Sequence, residues 1–180
     1  ETGKDITTGY KNTLIGTKAG GNIAGGSHSN TIIGYEATQS DSSSYRTTHI
    51  GSQVGALGSG SSSGNDSVFI GYRAGYYSTA AGASTSSNTL IGSESGYSNE
   101  YGRWNTYIGH QTAFSKLNGT HNIAIGYKSA YNDTYGGHNT FVGYKSGYSN
   151  IGSTTTVTSQ YNVFFGNCTG YGNTTGEKNT

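Results

Sequence analysis

The sequence predicts an all-β fold, a parallel β-solenoid built as a flattened two-layer β-roll of about nine 17-residue coils. Three observations predict it. A five-residue phrase closes on Gly16, Gly34, Gly51, Gly71, Gly92, Gly109, Gly126, Gly143 and Gly166, with gaps of 18, 17, 20, 21, 17, 17, 17 and 23 residues. Self-similarity at a short period is the signature of a solenoid. The scarce aliphatic residues sit on that phrase instead of being scattered, and proline is absent, which suits uninterrupted strand ladders. Residues 1–180 therefore form a single repeat array.

The units follow in order. Residues 1–16 carry the turn Thr7-Thr8-Gly9 and the first phrase, Asn12-Thr13-Leu14-Ile15-Gly16. Residues 17–34 end on Asn30-Thr31-Ile32-Ile33-Gly34, and the more degraded unit 35–51 on Thr47-Thr48-His49-Ile50-Gly51. The next two are lengthened, by the Gly/Ser run from Gly58 to Gly64 and by the segment Thr79 to Ser87. Three uninterrupted 17-residue units reach Gly143, and the last full unit is lengthened across Ser153 to Tyr161. Insertions fall in the polar segments and never in the phrase, as expected for loops outside a stacked core. In the regular units a second glycine stands seven residues before the key one (Gly102, Gly119, Gly136) and is expected to supply a positive φ at a corner.

The phrase reads as a strand whose side chains alternate between two faces. Its fourth position is almost always Ile, and its third is Leu, Ile, His, Phe, Leu, Tyr, Ala, Phe and Phe. Both faces are thus largely apolar. Ile15, Ile33, Ile70, Ile91, Ile108, Ile125, Val142 and Phe165 are expected to form the repeat core that fills each roll. Leu14, Phe69, Leu90, Tyr107, Phe141 and Phe164 are expected to point toward identical chains, though the reverse assignment stays open because both faces are apolar. Ala19-Gly20, Ala74-Gly75, Ser95-Gly96, Ser129-Ala130 and Ser146-Gly147 suit a second, closely packed strand. An apolar stripe along a single roll is a liability, so the economical solution is a parallel homotrimer that buries it.

Composition points the same way. Only 31% of the residues are hydrophobic, and 16 residues are tyrosine, too little apolar bulk for a large globular core. The net charge of +1 does not hold the chain open by repulsion. Glycine is abundant at 31 residues but lacks a collagen period. Cys168 stands alone, so no intramolecular disulfide forms. No stretch has the apolar length of a membrane span, so no membrane insertion is expected. Glu177-Lys178-Asn179-Thr180 repeats the pattern of Tyr10-Lys11-Asn12-Thr13, so the chain reads as a window of a longer fibre protein.

Asn139-Thr140-Phe141-Val142-Gly143-Tyr144, followed by the small pair Ser146-Gly147, is similar to the head repeat of YadA-type trimeric autotransporter adhesins. Similar repeats occur in bacteriophage tail fibres and other bacterial surface fibres. The resemblance spans essentially the whole chain through nine copies. It implies a left-handed parallel β-roll, three chains around one axis, and a role in adhesion or as a rigid stalk, outside the cell or on a virion. The unit here is longer than the family's usual repeat, and its third position is bulkier.

Candidate chemistry is sparse. Nine Asp and Glu residues are spread without repeat spacing in adjacent regular units, which gives no paired-carboxylate site, and no enzyme activity is expected. No cofactor or metal site is expected either. His121 and His138 lie one repeat apart and should stack at a polar corner, but no His-x-His pair supports a metal. Gly55-Ala56-Leu57-Gly58-Ser59-Gly60 lacks the Gly-Lys-Ser/Thr ending of a phosphate loop. There is no basic patch, so nucleic acid is not an expected partner.

The aromatics carry more information. Tyr76, Tyr97, Phe114, Tyr131, Tyr148 and Tyr171 stand five residues after a key glycine, and Tyr35, Tyr72, Tyr127 and Tyr144 one residue after it. They read as ladders covering roll edges and seams between chains. Trp104, with Tyr101 and Arg103 in the same turn, is the candidate surface contact for a glycan or protein receptor. Two function classes follow. The first is a structural or adhesive fibre segment that associates with itself. The second is an ice-binding solenoid, because Thr13, Thr31, Thr89, Thr106 and Thr140 form a regular file.

Overall fold

A computed structural model describes residues 1–4, 8–21, 23, 26–39, 44–57, 65–78, 87–152 and 158–180. The run Gly58 to Gly64 and the greater parts of the other two insertions, as well as Thr7, lie outside the described residues. Each phrase forms one three-residue strand: β1 Thr13–Ile15, β2 Thr31–Ile33, β3 Thr48–Ile50, β4 Val68–Ile70, β5 Thr89–Ile91, β6 Thr106–Ile108, β7 Ile123–Ile125, β8 Thr140–Val142 and β9 Val163–Phe165. All neighbours pair in parallel and in sequence order, giving one nine-stranded sheet. The molecule is an all-β solenoid, with no helix among the described residues. Register follows the repeat, so Thr89, Leu90 and Ile91 pair with Thr106, Tyr107 and Ile108.

The key glycines set the pitch. Gly126 has φ +130°, and a Cβ there would lie 2.4 Å from the carbonyl oxygen of Gly143. The same collision recurs from Gly16 through Gly143. Only glycine allows this backbone conformation and this stacking of one repeat on the next. From Gly34 onward each of these amides finds a partner in the preceding repeat, as where the N–H of Gly126 donates to the Ile108 carbonyl at 2.8 Å.

The predicted corner glycines divide. Gly119 does have a positive φ, +144°, but Gly102 and Gly136 do not. Glycine is needed at those two because a Cβ would strike the side chains of Asn99 and Asn139, respectively.

The segments read as a second strand are not strands. After each key glycine the backbone alternates hand, with positive φ two and four residues on: Lys18 and Gly20, Glu94 and Gly96, Lys128 and Ala130, Lys145 and Gly147. Extended strands do not take such angles. The small residues are needed for a different reason, because the fourth residue lies directly over the core. A Cβ on Gly147 would lie 2.6 Å from Phe141, and one on Gly75 2.7 Å from Phe69. This limb still has its own ladder between repeats, including Gly96 N–H to Thr112 O at 2.8 Å and Ala113 N–H to Ser129 O at 2.9 Å. The inter-repeat bonds offset the strain of left-handed, non-glycine backbone.

The two faces of the strand are the reverse of the expected assignment. The interior holds the third-position residues: Ile32, His49, Phe69, Leu90, Tyr107, Ala124 and Phe141 are essentially inaccessible, and Phe164 nearly so. Ile33, Ile70, Ile91, Ile108, Ile125 and Val142 instead face outward and are half-buried, while Ile15 and Phe165 are 56% and 76% exposed. The interior is about one side chain thick, so a large ring can be accommodated by glycine opposite it. Gly75, Gly147 and Gly170 do this for Phe69, Phe141 and Phe164, and the column's sizes range from Ala124 to Tyr107. The uniform isoleucines have no such partner within the chain.

Asparagines opening the phrase form a buried column. The Asn122 side-chain oxygen accepts the Asn139 N–H at 3.0 Å, and its amide donates to the Gly136 carbonyl at 3.1 Å. Asn88, Asn105, Asn139 and Asn162 repeat the first bond, each to the following asparagine. Each thereby satisfies buried backbone groups that would cost about 1–3 kcal/mol if left unpaired.

Candidate functional site

The surface is a set of columns, because every repeat places corresponding residues one above another. The residue before the first position of the phrase takes a left-handed conformation in unit after unit, as at Arg46, Asp66, Trp104, His121, His138 and Tyr161. That geometry turns its side chain outward, and all six are exposed. Trp104 lies 4.8 Å from His121, His121 stacks on His138 at 4.8 Å and 9°, and His138 stacks on Tyr161 at 5.0 Å. Farther along the column, Arg46 Nε and Asp66 Oδ1 pair at 2.5 Å.

Of the candidate contact residues, Trp104 stands in this column and Arg103 lies against its ring, while Tyr101 is exposed three residues before Trp104. Trp104 is 50% and Tyr101 49% exposed, and the Arg103 guanidinium lies 5.3 Å from the Trp104 ring centre. The backbone fixes them, with Tyr101 N–H on Leu117 O at 2.9 Å and Arg103 N–H on Gly119 O at 3.3 Å. Trp104 begins its aromatic stack, since the preceding residue of the column is Ser87.

A second column runs five residues after the key glycine. Tyr76, Tyr97, Phe114, Tyr131, Tyr148 and Tyr171 form a continuous stack with centroid spacings of 4.8–5.2 Å and planes within 7°. Rings stacked this way cover each other's faces and present their edges outward. Beside it, Tyr127 and Tyr144 stack at 5.4 Å. Between the two lies a column of long polar side chains two residues after the key glycine. Lys128 Nζ sits 5.5 Å from the Tyr127 ring and 4.9 Å from Tyr131, and Lys145 and Arg73 are bracketed in the same way. Elsewhere this column pairs internally: Lys18 with Glu36 at 2.9 Å, and Gln111 with Glu94 at 2.7 Å. The Gln53 amide, then Lys18 and Tyr35, hold the Glu36 carboxyl down at about 2.

The third surface is the outward side of the sheet. Thr13, Thr31, Thr89, Thr106 and Thr140 stand in register there, beside the isoleucine file. Among the described residues no group of three His, Cys, Asp or Glu side chains could hold a metal ion, and no helix is long and apolar enough to cross a membrane.

Two features were missed in the sequence. The bracketed cations needed the three-dimensional neighbourhood of two tyrosine columns. The buried pair Lys116 and Asp133, 2.9 Å apart, had a signal in its 17-residue spacing, which puts the two side chains at equivalent places in adjacent repeats.

No protein-family model, curated protein or solved structure matches this chain.

Proposed function

We propose that the chain is a non-catalytic, self-associating segment of an extracellular or virion fibre. In this reading it is a left-handed roll that joins two copies of itself in a parallel homotrimer. The observation that carries the reading is the outward sheet face, where a straight file of isoleucines is left only half-buried in a chain with few apolar residues to spare. Burying apolar surface gains about 25 cal/mol per Å², and parallel copies in register offer the matching face. The resemblance to adhesin head repeats supports the same assembly. Trp104, Tyr101 and Arg103, on the exposed column, are the proposed attachment surface for a glycan or protein receptor.

The test is a pair of variants in sedimentation velocity. Ile108→Asp is expected to shift the protein from trimer to monomer, and Tyr101→Ala to leave the trimer intact. Equal behaviour of both would refute this interface. Phe141 is not a suitable probe, because it is 1% exposed inside the chain and a charge there attacks the fold itself.

A second reading draws on the threonine file. Thr89 and Thr106 pair directly on the outward face, so the file stands at the surface of the single chain. Ice binding would then use the face assigned here to assembly. Thermal hysteresis at micromolar protein would support ice binding, and its absence would leave the fibre reading alone.

A further inference from the structure

Two ionisable side chains have no part in any of these surfaces. Lys116 and Asp133 stand seven residues after Gly109 and Gly126, in the interior column that also carries Asn99 and Asn150. Their side chains are 0% and 1% exposed. Lys116 Nζ lies 2.9 Å from Asp133 Oδ2. The other carboxyl oxygen, Oδ1, accepts the Gly136 N–H at 3.0 Å, and Nζ donates to the Gly136 carbonyl. The hydroxyl of Tyr107 is buried in the same compartment and makes no hydrogen bond of ordinary geometry.

We propose that Lys116 and Asp133 condense into an intramolecular isopeptide bond, a covalent staple between adjacent repeats that the chain makes by itself. The geometry separates the roles of the two carboxyl oxygens. Oδ1 is held by a backbone donor, so charge developing on it during attack is stabilised as in an oxyanion hole. Oδ2 faces the amine and is the oxygen that leaves. The Nζ lone pair attacks Cγ and the Nζ–Cγ bond forms. The Cγ–Oδ2 bond then breaks, and Oδ2 departs as water, carrying protons given up by Nζ. One ammonium and one carboxylate become one secondary amide and one water, with no oxidant, cofactor or other reactant.

The environment favours this step. An ammonium is not a nucleophile and a carboxylate is a poor electrophile, so the pair must first pass a proton between them. Burial lowers the Lys116 pKa and raises that of Asp133, in each case against the pull of the partner. Both directions favour the neutral amine and neutral acid. The product also fits the site better than the reactants. An ammonium has three protons to place and finds two acceptors, Asp133 Oδ2 and the Gly136 carbonyl. A secondary amide has one donor and one acceptor, and Gly136 supplies a partner for each. Condensation also removes two charges from an interior where a buried pair gains little net stability.

The staple is independent of how the rods assemble. Its test is the mass of the purified full-length chain under denaturing conditions, followed by tryptic mapping. The expected intact mass is lower than the sequence mass by one water. Cleavage after Lys116 should be missing, and one branched peptide should join the segment containing Lys116 to that containing Asp133. An unmodified mass with normal cleavage after Lys116 would overturn the proposal. The Lys116→Met variant should carry its full sequence mass; if it too lacks one water, the dehydration lies elsewhere and the assignment is wrong. Neither measurement requires the variant to fold.

Discussion

Gly126 and Gly172 separate two uses of the same residue. The first has φ +130° and would place a Cβ against the Gly143 backbone; a Cβ at the second meets nothing within 4 Å. Gly126→Ala is expected to cost more than the ~1–3 kcal/mol of backbone strain alone, read as a lowered urea midpoint. Gly172→Ala should be near neutral. His49 makes a different residue-scale prediction. It is fully buried, stacked on Phe69 at 4.6 Å and bonded through Nδ1 to Thr38 Oγ1 at 2.6 Å. Burial lowers its pKa from 6.5 to about 3. The unfolded chain therefore takes up a proton between those values that the folded chain refuses, so stability falls as pH falls through this window. The expected slope is about 1.4 kcal/mol per pH unit. Thermal midpoints measured across this range should decline in the wild type and decline less in His49→Leu. An unchanged slope would remove His49 as the acid-sensitive group.

At the scale of the element, the repeat holds itself together mainly through bonds to the repeats on either side. Strands pair only with their immediate neighbours in sequence. The second limb and the asparagine column follow the same rule. Stability is then close to a sum of nearest-neighbour terms. Deleting residues 110–126 should leave a folded, shorter rod with the same circular dichroism per residue. Deleting residues 110–117 alone should abolish cooperative melting, because the key glycines and asparagines of the following repeats lose register. Equal tolerance of both deletions would contradict the nearest-neighbour account. The strands were legible in the sequence because the phrase recurs nine times and closes on glycine. The second limb was not, because alternating-hand backbone built on Lys18, Glu94, Lys128 and their equivalents has no side-chain pattern distinguishing it from a strand of small residues.

For the whole molecule, the decisive question is what covers the sheet. Hydrophobicity alone could not assign the faces, because the third and fourth positions are both apolar. Size variation held the answer. Ala124, Tyr107 and Phe141 share one interior column of varied size, whereas the near-constant isoleucine file forms the regular outer surface. Of the surface candidates, Trp104 and Tyr101 are exposed, and the half-buried Arg103 lies beside the Trp104 ring. The stack from Trp104 to Tyr161 was only half-visible, because the lengthened last unit puts Tyr161 off the 17-residue spacing that links His121 to His138. The central claim, that the outward face exists to meet copies of itself, is tested most directly by the mass of the native particle. Sedimentation equilibrium at micromolar concentration should give three times the 18.7 kDa chain. A soluble, folded species of one chain mass would contradict it.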